Sequence, residues 1–195
     1  MGFIVVEGDN ATGKDTIADY LQNYYDFSVI SRFHDITDLE KQAKRMTGTP
    51  RVNAFLKYNL ICGNIAQSVS RGCIVRYWFS TLSAAFADNL MDFDSVLNKS
   101  EYCRKTMPAP DLVIKLKCNQ RSRVNRIINR QTYMGILDDD VTNCRADKYW
   151  EISKKLFDIS GYRTFEFETS STTPEIIANC IARTIGHYSH GIRNN

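Results

Sequence analysis

Short apolar runs alternate with longer amphipathic segments along the whole chain. Runs rich in β-branched and aromatic residues predict strands, whereas apolar residues recurring every three to four positions predict helices. The pattern predicts strands at 3–7, 27–31, 72–76, 111–117 and 164–168. It predicts helices at 14–24, within 37–47 and 51–70, and at 79–90, 119–131, 145–160 and 174–189.

This alternation predicts an α/β fold, a doubly wound parallel sheet of about five strands with helices on both faces. At 195 residues the chain suits one such domain, spanning 1–195, and no repeat or linker divides it. Thr173 and Pro174 support the start of the last helix, since threonine caps a helix and proline fits its first turn. The segment 120–148, with Gly135 and aspartates at 138–140, is predicted to contain a lid.

Composition narrows the classes of function. The chain is 43% hydrophobic and has no apolar run near the roughly 20 residues that span a membrane. Its six cysteines form no CxxC pair that could begin a zinc site, and we expect them to be reduced thiols. A net charge of +3 does not indicate a nucleic-acid surface. No basic leader precedes the first strand, so we expect a cytoplasmic protein with no membrane partner.

A glycine-rich turn follows the first predicted strand and opens the first helix. It matches the GxxxxGK pattern of P-loop proteins, in the context that this motif requires. Glycines let the backbone curl so that successive N–H groups point at phosphate oxygens, and the helix N-terminus favours negative charge. We expect Lys14 to reach the β- and γ-phosphates of ATP. The predicted nucleotide site comprises Gly8, Asp9, Asn10, Ala11, Thr12, Gly13, Lys14, Asp15 and Thr16.

The position after Lys14 departs from the usual pattern. Asp15 stands where serine or threonine would offer its hydroxyl to Mg²⁺, and Thr16 follows one place later. A carboxylate is also a hard ligand that suits this ion. Asp15 and Thr16 are therefore both candidate magnesium ligands, and the sequence leaves open which of them holds the metal.

Three segments resemble the thymidylate kinases, a family of P-loop nucleoside monophosphate kinases. The run IVVEG at 4–8, with the loop that follows, is similar to the family's opening IEG strand and phosphate loop. VRYWFS at 75–80 resembles its DRYxxS signature, and PDLVI at 110–114 resembles its PDLxI strand. Order and spacing agree from residue 3 to near residue 186. The resemblance implies a kinase that moves the γ-phosphoryl group of ATP onto a nucleotide.

Arg76 is the leading candidate for a catalytic cation. A strand at 72–76 would end beside the phosphate loop, at the sheet edge where doubly wound folds bind ligands. A guanidinium there can bridge the donor and acceptor phosphates. We also place Glu7 and Ser80 among the acceptor-binding residues, since they lie in the first two resembling segments.

The predicted helix 119–131 carries a row of arginines. Arg123, Arg126 and Arg130 would share one face, at i, i+3 and i+7. Such a row suits phosphoryl transfer, which depends largely on positioning and charge neutralisation. In the resembled family this region leads into the lid over ATP. Arg126 and Arg130, nearest the predicted lid, are therefore further catalytic candidates, with a solvated basic face as the alternative.

The acceptor segment departs from the family pattern. After its second strand the family has a TREPGG-like segment, whereas this chain has SRFHD at 31–35. Val75 and Asn10 also replace acidic residues of the pattern. Acceptor recognition is therefore expected to differ. The candidate acceptor-binding residues here are Arg32 for a phosphate and Phe33 or Tyr58 for stacking on a base.

Three functions remain open on this reading. The first is phosphorylation of a deoxynucleoside monophosphate, with thymidylate or a modified pyrimidine nucleotide as acceptor. The second keeps ATP and Mg²⁺ but phosphorylates a hydroxyl, on a nucleoside or on a hydroxymethylpyrimidine in DNA, and therefore needs a general base. The third is a nucleotide-binding module without transfer. A homodimer is left open as the assembly. The carboxylates considered as general base are Glu7, Asp9, Asp35 and Asp88.

Overall fold

The structure is a computed structural model that describes residues 2–134 and 143–191. Within those ranges, the side chains of 130–134, 143–144 and 187–191 are not described. The strands are β1 (Phe3–Glu7), β2 (Ser28–Val29), β3 (Gly72–Val75), β4 (Leu112–Lys117) and β5 (Thr164–Glu168). The α-helices are α1 (Lys14–Tyr25), α2 (His34–Lys44), α3 (Gly48–Ser68), α4 (Trp78–Ala87), α5 (Phe93–Thr106), α6 (Gln120–Met134), α7 (Asn143–Ser160) and α8 (Pro174–Gly191).

The five described strands form one parallel sheet in the order β2-β3-β1-β4-β5. β1 is central, with Val5 opposite Ile74 of β3 on one side and Val113 of β4 on the other. Every residue of β1 is buried, as a strand covered on both faces must be. The predicted doubly wound α/β fold is confirmed.

Side chains of β1 alternate between two apolar cores, one on each face of the sheet. Phe3 and Val5 face a core completed mainly by α3, α4, α5 and α7. Ile4 and Val6 face a core completed by α1 and α8. Full burial of such a side chain stabilises the fold by about 1.5–3 kcal/mol relative to exposure. The two cores hold β1 rigidly, and the end of β1 is where the phosphate loop begins.

Two strands end earlier than predicted. β2 ends at Val29, and a single 3₁₀ turn, Ile30–Arg32, replaces its second half. As an edge strand β2 pairs with β3 alone, over two residues, so little holds it extended. β3 ends at Val75 because Arg76 adopts a left-handed backbone with a φ of 65°. The predicted bounds 27–31 and 72–76 were therefore wrong at their carboxyl ends.

The sequence pattern missed α5. Asp92 caps the start of this helix, and its carboxylate accepts a hydrogen bond from the backbone N–H of Ser95 at 2.7 Å. Its buried residues are Val96, Ser100 and Cys103, which lie at i, i+4 and i+7. A serine and a cysteine on this face weaken the apolar periodicity, and most residues on the other faces are polar. The helix therefore gave almost no hydrophobic signal.

Among the described helices, none is both long and apolar enough to cross a membrane. The predicted lid segment 120–148 contains α6 at one end and the beginning of α7 at the other. Residues 135–142, the middle of that segment, lie outside the described residues.

Candidate active site

The phosphate loop connects the carboxyl end of the central strand β1 to the first turn of α1. Its curl requires glycine at both ends. Gly8 has a φ of 151°, and a Cβ there would lie 2.7 Å from the Leu116 carbonyl oxygen and from Thr12 Oγ1. Gly13 has a φ of 89° at the start of α1, a conformation that side chains disfavour. The loop thus has the strand, turn and helix N-terminus on which phosphate binding depends.

Lys14 is folded into this loop and is only 3% exposed. Its Nζ donates to the carbonyl oxygen of Asp9 at 2.5 Å and lies 3.5 Å from Thr12 Oγ1. Burial, together with the positive charge of Arg76, lowers the pKa of Lys14 to about 7. A phosphate beside Nζ would favour the charged amine and reverse that shift. The loop therefore holds a buried amine whose charge is poorly compensated, as a phosphate-binding lysine needs.

Asp9 joins the loop to α6. Its carboxylate is buried, with Oδ2 2.9 Å from Arg123 Nη1 and Oδ1 accepting the backbone N–H of Asn10 at 2.7 Å. Arg123 is itself only 5% exposed. The sequence placed Arg123 on the arginine face of its helix but did not single it out. The available signal was its i, i+3 spacing from Arg126, and the sequence did not show that its partner lay in the loop.

Arg126 braces the same loop one helical turn further along α6. Its Nη1 donates to the Ala11 carbonyl oxygen at 3.1 Å and to Thr169 Oγ1 at 3.0 Å. Its Nη2 donates to the Thr169 carbonyl oxygen at 2.6 Å. Arg126 therefore ties the phosphate loop to the turn after β5. The side chain of Arg130 lies outside the described residues.

Arg76 lies immediately after β3 and reaches the phosphate loop. Its backbone N–H donates to Val6 of β1 at 3.0 Å, so the residue stays beside the central strand. Its guanidinium donates from Nη2 to Asn10 Oδ1 at 2.5 Å, and the residue is otherwise exposed. A left-handed backbone at a residue other than glycine is costly, and such strain clusters at functional sites.

Glu7 is the last residue of β1 and is 1% exposed. Its Oε1 accepts the backbone N–H of Tyr77 at 2.7 Å, and its Oε2 accepts the hydroxyl of Ser80. The Tyr149 hydroxyl donates to Ser80 Oγ at 3.2 Å, which extends the network to α7. Burial raises the pKa of Glu7 to about 7, although both hydrogen bonds oppose that shift. Glu7 and Ser80, both predicted as acceptor contacts, therefore contact each other.

The three residues predicted to bind the acceptor phosphate or base differ in their contacts and exposure. Arg32 pairs with Asp19 of α1 at 2.6 Å and also donates to Gln22 Oε1 at 2.6 Å. Phe33 is 39% exposed, at the start of α2, and is available for stacking. Tyr58 is buried in α3, where burial raises the pKa of its phenol well above the ordinary value. Stacking on a base is therefore more accessible to Phe33 than to Tyr58.

Asp15 and Thr16 lie exposed in the first turn of α1, directly after Lys14. The described residues contain no group of three or more histidine, cysteine or acidic side chains that could hold a metal by themselves. Mg²⁺ commonly takes one or two protein ligands and completes its shell with water and substrate phosphates. An exposed carboxylate and an exposed hydroxyl beside a phosphate loop fit that donor set.

The other two carboxylates considered as general base lie elsewhere. Asp35 is exposed on α2 and contacts His34 at 3.5 Å. Asp88 follows α4 and pairs with Arg145 of α7 at 2.7 Å. Of the four carboxylates considered, Glu7 and Asp9 are the two that contact the phosphate loop or the residues around Arg76.

A cavity of about 520 Å³ lies away from the phosphate loop, between the β5 edge of the sheet and the end of α7. Lys115 projects into it, forms an ion pair with Glu166 at 3.4 Å and lies 5.1 Å from the Phe157 ring centre. None of the residues predicted for nucleotide or acceptor binding lines this cavity. This cavity is therefore separate from the candidate active site.

The sequence matches no family model and no curated protein. Its structure matches deoxyadenosine kinase from M. mycoides, with the products dCMP and dCDP bound, at 13% identity and a TM-score of 0.64, covering 95% of this chain and 99% of that one. It matches the YorR protein of Bacillus subtilis, in complex with phosphorylated GDP, at 16% identity, a TM-score of 0.61 and 96% and 98% coverage. Thymidylate kinase from Candida albicans matches at 13% identity, a TM-score of 0.60 and 96% and 92% coverage. The fold expected from the sequence is therefore confirmed, because the chain shares the fold of these three structures over nearly its whole length.

Proposed function

We propose that the chain is an ATP-dependent kinase that phosphorylates a deoxynucleoside monophosphate, either thymidylate or a modified pyrimidine nucleotide. The observation that carries this proposal is the placement of two cations around one phosphate loop. Lys14 is buried inside the loop, and Arg76 reaches its outer side through Asn10 at 2.5 Å. Phosphoryl transfer requires charge neutralisation on both sides of the migrating group.

The roles of the residues follow from their contacts. ATP binding exchanges the bond between Lys14 Nζ and the Asp9 carbonyl oxygen for bonds to phosphate oxygens, which gives a buried amine an ionic partner. Arg76, exposed at the loop's edge, contacts the oxygens on which charge develops during transfer. Asp15 or Thr16 would hold Mg²⁺ together with nucleotide oxygens and water, and the ion would supply charge neutralisation at the phosphates.

The ligands of structures with the same fold support a nucleotide as substrate class. The deoxyadenosine kinase structures contain dCMP and dCDP, dATP or dCTP, and the YorR structure contains phosphorylated GDP. The assignment to thymidylate or a modified pyrimidine rests on the resemblance of the segments around Glu7 and Arg76. Arg32 would have to leave Asp19 and Gln22 in order to bind an acceptor phosphate.

A hydroxyl acceptor is the second candidate, and two observations favour it. Arg32 is engaged by Asp15, Asp19 and Gln22 of α1. Arg76 instead reaches the side chain of Asn10 in the loop. Glu7 is a carboxyl group with a pKa of about 7 at the end of β1, a value suited to a general base near neutral pH. The acceptor would then be a nucleoside, or a hydroxymethylpyrimidine in DNA.

A phosphoryl-transfer screen tests these alternatives. The protein is supplied with radiolabelled γ-phosphate ATP and Mg²⁺, and with deoxynucleoside monophosphates, deoxynucleosides or DNA containing hydroxymethylpyrimidine. We expect label in a deoxynucleoside diphosphate, with a pyrimidine preferred. Label confined to a nucleoside or to DNA would replace the proposed acceptor. Nucleotide binding without transfer to any acceptor would favour a binding module.

Two matched variants test whether the activity depends on the phosphate loop. Lys14→Met should abolish transfer while leaving the far-ultraviolet circular dichroism spectrum unchanged. Lys154→Met removes an exposed lysine on α7 beside the cavity described above, and transfer should stay within about twofold of the unsubstituted protein. Equal activity of the two variants would contradict the assignment of the phosphate loop.

A further inference from the structure

Four residues form a continuous row of contacts across the phosphate loop, with one link through the backbone of Asn10. Arg123 of α6 contacts Asp9 at 2.9 Å, and Asp9 accepts the backbone N–H of Asn10 at 2.7 Å. The side chain of Asn10 then accepts the guanidinium of Arg76 at 2.5 Å. The row begins on the helix that leads toward the predicted lid and ends at the cation on the acceptor side.

The first link is an ion pair buried on both sides, with Arg123 at 5% exposure and Asp9 at 4%. Removing one partner of such a pair leaves a buried charge without compensation, so the other partner is displaced or the loop rearranges. The carbonyl oxygen of Asp9 also accepts Lys14 Nζ and the Thr12 hydroxyl, at 2.5 and 2.8 Å. The position of Asp9 therefore affects the phosphate-binding lysine directly.

The second link orients an exposed side chain. Arg76 emerges from a left-handed backbone into solvent, where a long side chain samples many rotamers. Its hydrogen bond to Asn10 Oδ1 directs the guanidinium toward the loop. Because the Asn10 backbone is held by the Asp9 carboxylate, displacement of Asp9 also moves the acceptor of that bond.

We propose that Arg123 is a positioning residue that acts through Asp9 and Asn10 on Arg76. It fixes the position of Arg76 relative to the phosphate loop, so that a movement of α6 changes the position of the catalytic cation. The kinetic consequence rests on the proposed kinase function, whereas the physical coupling between Arg123 and Arg76 does not. Arg126, which contacts the backbone of Ala11 and Thr169, braces the loop without entering this row.

The coupling is tested on the intact protein without nucleotide. Arginine Nε–Hε resonances are recorded by ¹⁵N NMR for the unsubstituted protein, Arg123→Met, Asn10→Ala and the control Arg121→Met. Arg121 is exposed on the same helix, two residues earlier. We expect the Arg76 resonance to shift, and its proton to exchange about tenfold faster, in Arg123→Met and Asn10→Ala but not in Arg121→Met. An Arg76 resonance that Asn10→Ala moves and Arg123→Met leaves unchanged would overturn the proposal.

If Arg123→Met does not fold, the double variant Asp9→Asn with Arg123→Met removes both buried charges and takes its place in the comparison. The ion pair between α6 and the loop is absent in this variant too, so the Arg76 proton should again exchange faster than in Arg121→Met. An unchanged exchange rate in this double variant would also overturn the proposal.

A double-mutant cycle in kcat adds the kinetic readout. Arg123→Met should lower kcat about tenfold in the unsubstituted protein and less than about threefold once Asn10→Ala has broken the row. Losses that multiply independently would mean that Arg123 acts structurally and not on Arg76. A protein with no turnover that still shows the NMR coupling would defeat the proposed function and leave this inference standing.

Discussion

Ser80 of α4 donates its hydroxyl hydrogen to the carboxyl group of Glu7 at the end of β1, across 73 positions of sequence. The bond connects the strand before the phosphate loop to the helix after Arg76. Tyr149 of α7 donates to the same serine, so three elements meet at one buried acid. Since the pKa of Glu7 is raised to about 7, the charge of this junction changes near neutral pH.

Replacing Glu7 with glutamine should flatten the dependence of stability on pH. Burial raises the pKa of Glu7 from 4.5 to about 7, so between these values the folded state holds more protons than the unfolded state. The free energy of unfolding therefore falls as pH rises through this window, by up to about 3 kcal/mol. In urea unfolding at pH 5 and pH 8, we expect the free energy of unfolding of Glu7→Gln to differ much less between the two pH values than that of the unsubstituted protein. Glu151→Gln, an exposed control on α7, should keep the full difference, and identical behaviour of the two variants would refute the assignment.

ATP binding should be accompanied by proton uptake at Lys14. The pKa of Lys14 is lowered to about 7 in the free protein, so at pH 8 much of the amine is neutral. Phosphate oxygens favour the charged amine and raise its pKa, so the amine takes up a proton on binding. Calorimetric titrations at pH 8 in two buffers of different ionisation enthalpy should show uptake of about half a proton or more. Lys14→Met should bind weakly without uptake, whereas the same uptake in that variant would assign the proton to another group.

Replacing Arg76 with glycine should stabilise the fold and impair transfer. Arg76 has a φ of 65°, and glycine adopts that conformation without the penalty of a Cβ. We expect about 0.5–1 kcal/mol of added stability, together with a decrease in kcat on the order of a hundredfold from loss of the guanidinium. Chemical denaturation and initial rates measure the two effects.

Asp26→Gly is the matched control for this trade-off. Asp26 follows α1 with a φ of 62°, and it is not among the residues placed at the active site. The variant should gain similar stability without loss of kcat. If Arg76→Gly keeps full activity, Arg76 is not the catalytic cation.

A titration with Mg²⁺ tests which of Asp15 and Thr16 contributes more to metal binding. Asp15→Ala should raise the Mg²⁺ concentration that gives half-maximal rate by about tenfold, because it removes a carboxylate ligand. Thr16→Ala should raise it by less than about threefold. Affinity for ATP without metal should change little in either variant. A larger effect of Thr16→Ala would reverse the roles of the two residues.

The sequence predicted the elements with the strongest local signals. β1 and the glycines at both ends of the loop were read correctly, because a buried strand and a glycine-dependent turn each leave a pattern within a few residues. α5 was missed, since its buried face carries Ser100 and Cys103 and so lacks apolar periodicity. β2 was predicted too long, because its residues have β propensity over a longer stretch than the two positions that pair with β3.

The contacts of the candidate site were harder to predict than its members. Arg123 and Asp9 are 114 positions apart, and no local pattern links them. Arginine is a residue type that commonly binds anions, yet Arg32 pairs with Asp19 on a neighbouring helix. Sequence spacing places a residue on an element, whereas its partner depends on how the elements pack.

The central place of β1 in the sheet has a consequence for the order of folding. β1 begins at Phe3, but its neighbour β4 begins at Leu112 and the loop's partner Arg123 comes later still. At a synthesis rate of about 5–20 residues per second, the loop waits on the order of ten seconds for these contacts. During that interval β1 can pair with β3, but its other edge has no partner, and such open strand edges are prone to aggregate. Ribosome pausing before residue 112 or a shortage of chaperones should therefore lower the yield of native protein more than equal delays after β4 has emerged.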